Sequence, residues 1–146
     1  MFLPVMPLWM CCQKAGVQVN IAKLTKSIQS NNVENLVRLL PFAVGSSDGV
    51  VALQVDPVSN AGNGEIVPGS SSGGMVRPGR QMAQEARIVR LDDFGTDPIF
   101  FLKIDTEGYE QHVLRGAANL LRNSTARPVH IMMEFSPGLQ VRRAYT

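Results

Sequence analysis

The stretch that most limits how this chain can fold lies between Pro98 and Phe135. There "PIFFLKI" runs into two acids and a glycine, an amphipathic segment follows, and "PVHIMMEF" closes it. Continuous apolar runs of strand length are typical of strands buried on both faces in a parallel sheet, whereas one-sided sheets alternate apolar and polar residues. Between the two runs, Val113, Leu114, Ala117, Leu120 and Leu121 recur at helical spacing, and "RNSTARP" closes the helix. Strand, helix and strand in this order predict a βαβ unit with parallel neighbouring strands and a right-handed crossover. The expected class is therefore α/β.

In an open parallel sheet, ligands bind outside the carboxyl ends of the strands. Asp105 and Glu107 stand at that end of the first strand, and Glu134 at the matching end of the second. Three carboxylates are thus expected on one rim. Residues two apart on a strand share a face, so Asp105 and Glu107 can act together, while Gly108 permits a sharp turn or a close backbone approach. Acids at a helix N-terminus also complement the helix dipole, at about 0.3–1 kcal/mol each. That role is the preferred reading for Glu110. For Asp105 a functional role is preferred, because a carboxylate on a buried strand carries a desolvation cost that helix stability does not require. Glu134 stands open between the two. A divalent cation held by Asp105, Glu107 and Glu134 is a weaker idea, since hard oxygen ligands suit magnesium or calcium.

A single domain is expected over residues 1–146, because a chain this long buries roughly 68–70% of its unfolded surface. The net charge of +2, with scattered basic residues, gives no footprint for nucleic acid. The apolar start, "MFLPVMPLWMCC", is too short to span a bilayer and lacks a basic flank, so no membrane partner is expected. Adjacent Cys11 and Cys12 are poorly placed to bridge each other and read as reduced thiols of a cytoplasmic protein. Asn123-Ser124-Thr125 is a glycosylation sequon, but that compartment argues against its use. His112 is expected to face solvent, His130 to be a partly buried structural residue, and Met132-Met133 to sit in the core.

Upstream, Val17, Ile21, Leu24 and Ile28 form a helical stripe, and Ser30 to Asn32 supply its end. "LVRLLPFAV", Leu36 to Val44, reads as a short strand blunted by Pro41, and "VVALQV", Val50 to Val55, as a strand at a sheet edge. Residues 56–84 hold six of the thirteen glycines, three prolines and "GSSSGG". They are expected to form a flexible excursion. "ARIVRLDDF" then restores order before the βαβ unit.

"LKIDTEGYEQHVLRGAANLL" resembles the signature of the FkbM family of S-adenosylmethionine-dependent methyltransferases, in which a strand ending in Lys-Ile-Asp-x-Glu-Gly-x-Glu leads to a helix bearing "VL-x-GA". "RIVRLDDF", "PFAVGSSDG" and "VHIMMEFSP" are similar to further segments of that family, in the same order, and the similarity runs with gaps from about Val17 to Pro137. The resemblance implies a Rossmann-like class I methyltransferase fold with a mostly parallel sheet in strand order 3-2-1-4-5-7-6. Residues 99–104 then correspond to strand four and 129–134 to strand five. It implies S-adenosylmethionine as cofactor and O-methylation of a small-molecule or sugar-like acceptor. Catalytic roles fall to Asp105 and Glu107, cofactor contacts to Gly45, Asp105 and Gly108, and a substrate contact to Glu134.

The departures from the family pattern are equally specific. Gly16 is the only glycine before Gly45 and no acid precedes Glu34, so the glycine-rich cofactor turn and the acid that grips the ribose are not evident. If "FLPVMP" corresponds to the family's Phe-Glu-Pro, Leu3 takes the acidic position. The expectation is a fold truncated at both ends, beginning at strand two and lacking strands one, six and seven, with exposed sheet edges and weak or absent activity. The alternative is a non-catalytic remnant that serves as an interaction or scaffold module.

Overall fold

The computed structural model describes residues 8–13, 18–56, 58, 60–67, 76, 78–94, 97–106 and 108–134. The chain divides into two compact units. One comprises β1 (Leu8–Gln13), the Val44–Ser47 segment, β6 (Ile99–Asp105), α2 (Glu110–Arg115), α3 (Ala118–Arg122) and β7 (His130–Met133). The other holds α1 (Gln18–Ser30), β3 (Gly49–Asp56), β4 (Asn60–Ile66) and β5 (Gln81–Val89), with the two-residue β2 (Ala43–Val44) at the boundary.

In the first unit the sheet order is β1-β6-β7. Both pairings of β6 are parallel: Leu102 lies opposite Met10 on one side and Ile131 on the other. The expected βαβ unit is therefore present as β6-α2-α3-β7. Leu102 and Ile104 are fully buried and meet Val113, Ala117 and Leu120 in one core, with Leu91, Ile99 and Ala126 around them. Full burial of each Leu, Ile or Val contributes about 1.5–3 kcal/mol, so this sheet face anchors the unit. Met133 packs on that core from the edge strand, but Met132 is exposed, against the core role expected for both methionines. Leu8–Gln13 adjoins β6 directly, in the place the family order gives to strand one.

The amphipathic run after β6 forms two short helices. The break falls at Gly116 and Ala117, and its cause lies outside the run. The carbonyl of Gly116 accepts from the backbone N–H of Asp92 (2.9 Å), while the Asp92 carboxylate accepts from the N–H groups of Asn119 (3.2 Å) and Leu120 (2.8 Å). Asp92, in a 3-10 turn at Leu91–Phe94, thus caps α3, whose own N-cap residue, Ala117, makes no side-chain bond. A Cβ on Gly116 would collide with the backbone carbonyl of Gly45, so a glycine is required at this contact.

In the second unit β3 pairs antiparallel with both β4 and β5, in the order β2-β5-β3-β4. The expectation of a mostly parallel sheet therefore holds for the first unit alone. Residues 57–59 join β3 to β4, far too short a link for a parallel crossover. Here β3 is internal, not an edge, and β4 with the start of β5 falls inside the 56–84 stretch expected to be an excursion. Leu53 and Ala86 centre a small core with Val51, Val55 and Ile66. The strand expected from Leu36 reduces to Ala43–Val44, because the N–H groups of Leu36 and Val37 both donate to the carbonyl of Val33 in a turn. In α1, Ile21 and Ile28 are half-buried and Leu24 is exposed. The helix ends as expected, with Asn32 at a φ of 53°.

Candidate functional site

The carboxyl ends of the three parallel strands form one rim. Gln13 of β1 lies opposite Asp105 of β6, and on the other side the N–H of Glu134 donates to the carbonyl of Ile104 (3.1 Å), carrying the β7 ladder one residue beyond its last strand residue. Asp105 is the middle position of this row. Glu134, at its end, is exposed. Glu107 lies outside the described residues.

Lys103 Nζ donates to Asp105 Oδ2 at 2.9 Å, with both side chains roughly a third exposed or less, at 34% and 27%. Two residues apart on β6, they share the sheet face opposite the helices, so the pairing follows from strand geometry. It orients the carboxylate. It also revises the ground on which Asp105 was singled out, because a partly solvated, charge-paired acid does not bear the full desolvation cost of a buried one.

That cost falls on Glu110 instead. Its side chain is fully buried, and its Oε1 accepts from Thr106 N–H (3.1 Å), Thr106 Oγ1 (3.0 Å) and Gly108 N–H (2.9 Å), with Oε2 also 2.9 Å from Gly108 N. Buried charge persists only where it is hydrogen-bonded in this way. The turn from β6 to α2 is therefore wrapped around the Glu110 carboxylate. Gly108 adopts a φ of 96° within it, a left-handed conformation that costs other residues about 1–2 kcal/mol. Glu110 stands in the first turn of α2, where an acid complements the helix dipole as expected, and its carboxylate also accepts from the amides that precede the helix.

Gly108, expected at the cofactor, directs its N–H to Glu110. Gly45, also expected there, is buried with its backbone against Gly116. The histidine expectations reverse: His112 is half-buried and stacked on Tyr109 (4.2 Å between ring centroids), while His130 is exposed, edge-on to Phe100 at 5.2 Å. The sequon residue Asn123 accepts from Thr125 N–H and Oγ1 (2.9 and 2.8 Å) and from Ala126 N–H (3.2 Å), shaping the approach to β7. Lys103, Thr106 and Asp92 were not anticipated. The Lys-x-Asp alternation carried a signal for the first, and "RIVRLDDF" included Asp92 without marking it as a cap for a distant helix.

Among the described residues no group of three His, Cys, Asp or Glu side chains is placed to hold a metal ion, and no helix is long and apolar enough to cross a membrane. The family model of the methyltransferase FkbM domain matches residues 11–142. No curated protein and no solved structure matched the chain.

Proposed function

The chain belongs to the methyltransferase FkbM family, and on that premise we propose that it moves a methyl group from S-adenosylmethionine to an oxygen of a small-molecule or sugar-like acceptor. The observation that carries this reading is Asp105 at the centre of the rim, flanked by the ends of β1 and β7 and oriented by Lys103. Its chemistry fits the cofactor. Carboxylates accept hydrogen bonds from ribose hydroxyls and from an ammonium group, and they favour a nearby sulfonium charge. Asp105 would provide such an acceptor. When bound, S-adenosylmethionine supplies an electrophilic methyl group.

The residues of the chain do the rest. Asp105 accepts the hydrogen of the acceptor hydroxyl, aligning its oxygen and taking its proton as the new bond forms. Glu134, at the carboxyl end of the β7 ladder, holds another polar group of the acceptor. Fixing two reactants at van der Waals distance supplies much of the acceleration in such a transfer. Adjacent Cys11 and Cys12, poorly placed in sequence to bridge each other, support a reducing, cytoplasmic setting.

Calorimetric titration with S-adenosylmethionine and S-adenosylhomocysteine tests the reading. One-to-one binding, lost in Asp105→Asn, is expected. A folded chain that binds neither ligand would overturn it in favour of a scaffold module.

A further inference from the structure

The buried Glu110 carboxylate accepts from both Thr106 and Gly108, yet the reading of the rim gives it no part. We propose that Glu110 is a positioning residue, whose carboxylate sets the direction in which Asp105 leaves the sheet. The inference rests on the function proposed for Asp105.

The argument starts from the peptide plane. The Asp105 carbonyl and the Thr106 N–H belong to one planar unit, so the bond from Thr106 N–H to Glu110 Oε1 fixes the backbone rotation just after the Asp105 Cα. The Thr106 hydroxyl and the Gly108 N–H donate to the same carboxylate. On the strand side, Lys103 holds the Asp105 carboxylate itself. Asp105 is therefore held from both directions, by the Lys103 cation and through the buried Glu110 anion. A role confined to stabilising α2 accounts for neither feature. Dipole complementarity alone requires neither complete burial nor a bond to the amide that follows Asp105.

The test uses Glu110→Gln, which keeps the shape but turns one acceptor into a donor facing the turn amides, and Thr106→Val, which removes one hydroxyl. Each is measured in the 146-residue chain at a temperature where it is folded. S-adenosylhomocysteine should bind at least tenfold more weakly to Glu110→Gln, with a smaller loss in Thr106→Val. Exchange of the Thr106 and Gly108 amides should quicken at least tenfold, while exchange at Leu102 and Ile104 stays unchanged. Binding by Glu110→Gln equal to that of the unaltered chain would overturn the proposal.

If the unaltered chain binds no S-adenosylhomocysteine, the proposed function fails separately. The positioning claim is then decided by the Asp105 carboxyl carbon resonance: a shift in Glu110→Gln supports it, and an unmoved resonance refutes it. Should Glu110→Gln not fold, the same measurements on Thr106→Val decide.

Discussion

Asp92 and Asp93 are neighbours of the same charge, and replacing each with alanine should give different results. Asp92 accepts two backbone N–H bonds at the start of α3, the shorter 2.8 Å, and the helix's own N-cap residue, Ala117, makes no side-chain bond. Loss of a helix cap costs about 0.5–2 kcal/mol, and the two donors left without their acceptor place Asp92→Ala in the upper half of that range. Asp93 pairs with Arg90 at 2.8 Å, but the side chains are 38% and 42% exposed. Solvent screening holds such a pair to about 0–1 kcal/mol. Urea denaturation followed by circular dichroism should thus give Asp92→Ala a loss of about 1–2 kcal/mol and Asp93→Ala less than half as much. In a melt the former corresponds to a drop of about 2–8 °C for a protein near this size. Equal losses, or a larger one for Asp93→Ala, would refute the long-range cap as the reason the helix restarts at Ala118.

Leu102→Asp should abolish the cooperative unfolding transition, since it puts an unpaired charge at a site with no exposure; a retained near-ultraviolet spectrum would count against the assigned core. Gly116→Ala should cost about 1–3 kcal/mol through overpacking against the Gly45 carbonyl, and a thermal melt unchanged from that of the parent chain would show that the two backbones do not meet. Asp105→Asn should leave the melting temperature within a few degrees while removing methyl transfer, so a variant that turns over normally would end the catalytic assignment.

The βαβ unit was legible because its signals are local. A continuous apolar run, a helical stripe and a second run each report their own burial, and β6 and β7 fall within a residue or so of the expected bounds. The helix break at Gly116 was not legible, since the residue that causes it lies 27 and 28 positions before those it caps. The antiparallel unit was misread because glycine-rich segments such as Asn60–Ile66 lack the β-branched and aromatic residues by which strands are recognised; their pairing with β3 supplies what their propensity does not. Charge placement was read in reverse. Sequence gives the acid's position on an element but not which acid turns inward, so Asp105 was assigned the desolvation that Glu110 bears.

The turn around Glu110 also bears on the ligands this rim can admit. A strand-to-helix turn with outward-pointing N–H groups is a natural receptor for phosphate. Here the N–H groups of Thr106 and Gly108 already meet an anion that is part of the chain. A phosphorylated nucleotide approaching this turn would find its receptor occupied and a carboxylate, Asp105, beside it. The amides of Thr106 and Gly108 are thus spent inside the chain, and recognition beside this turn is left to side chains such as the Lys103–Asp105 pair.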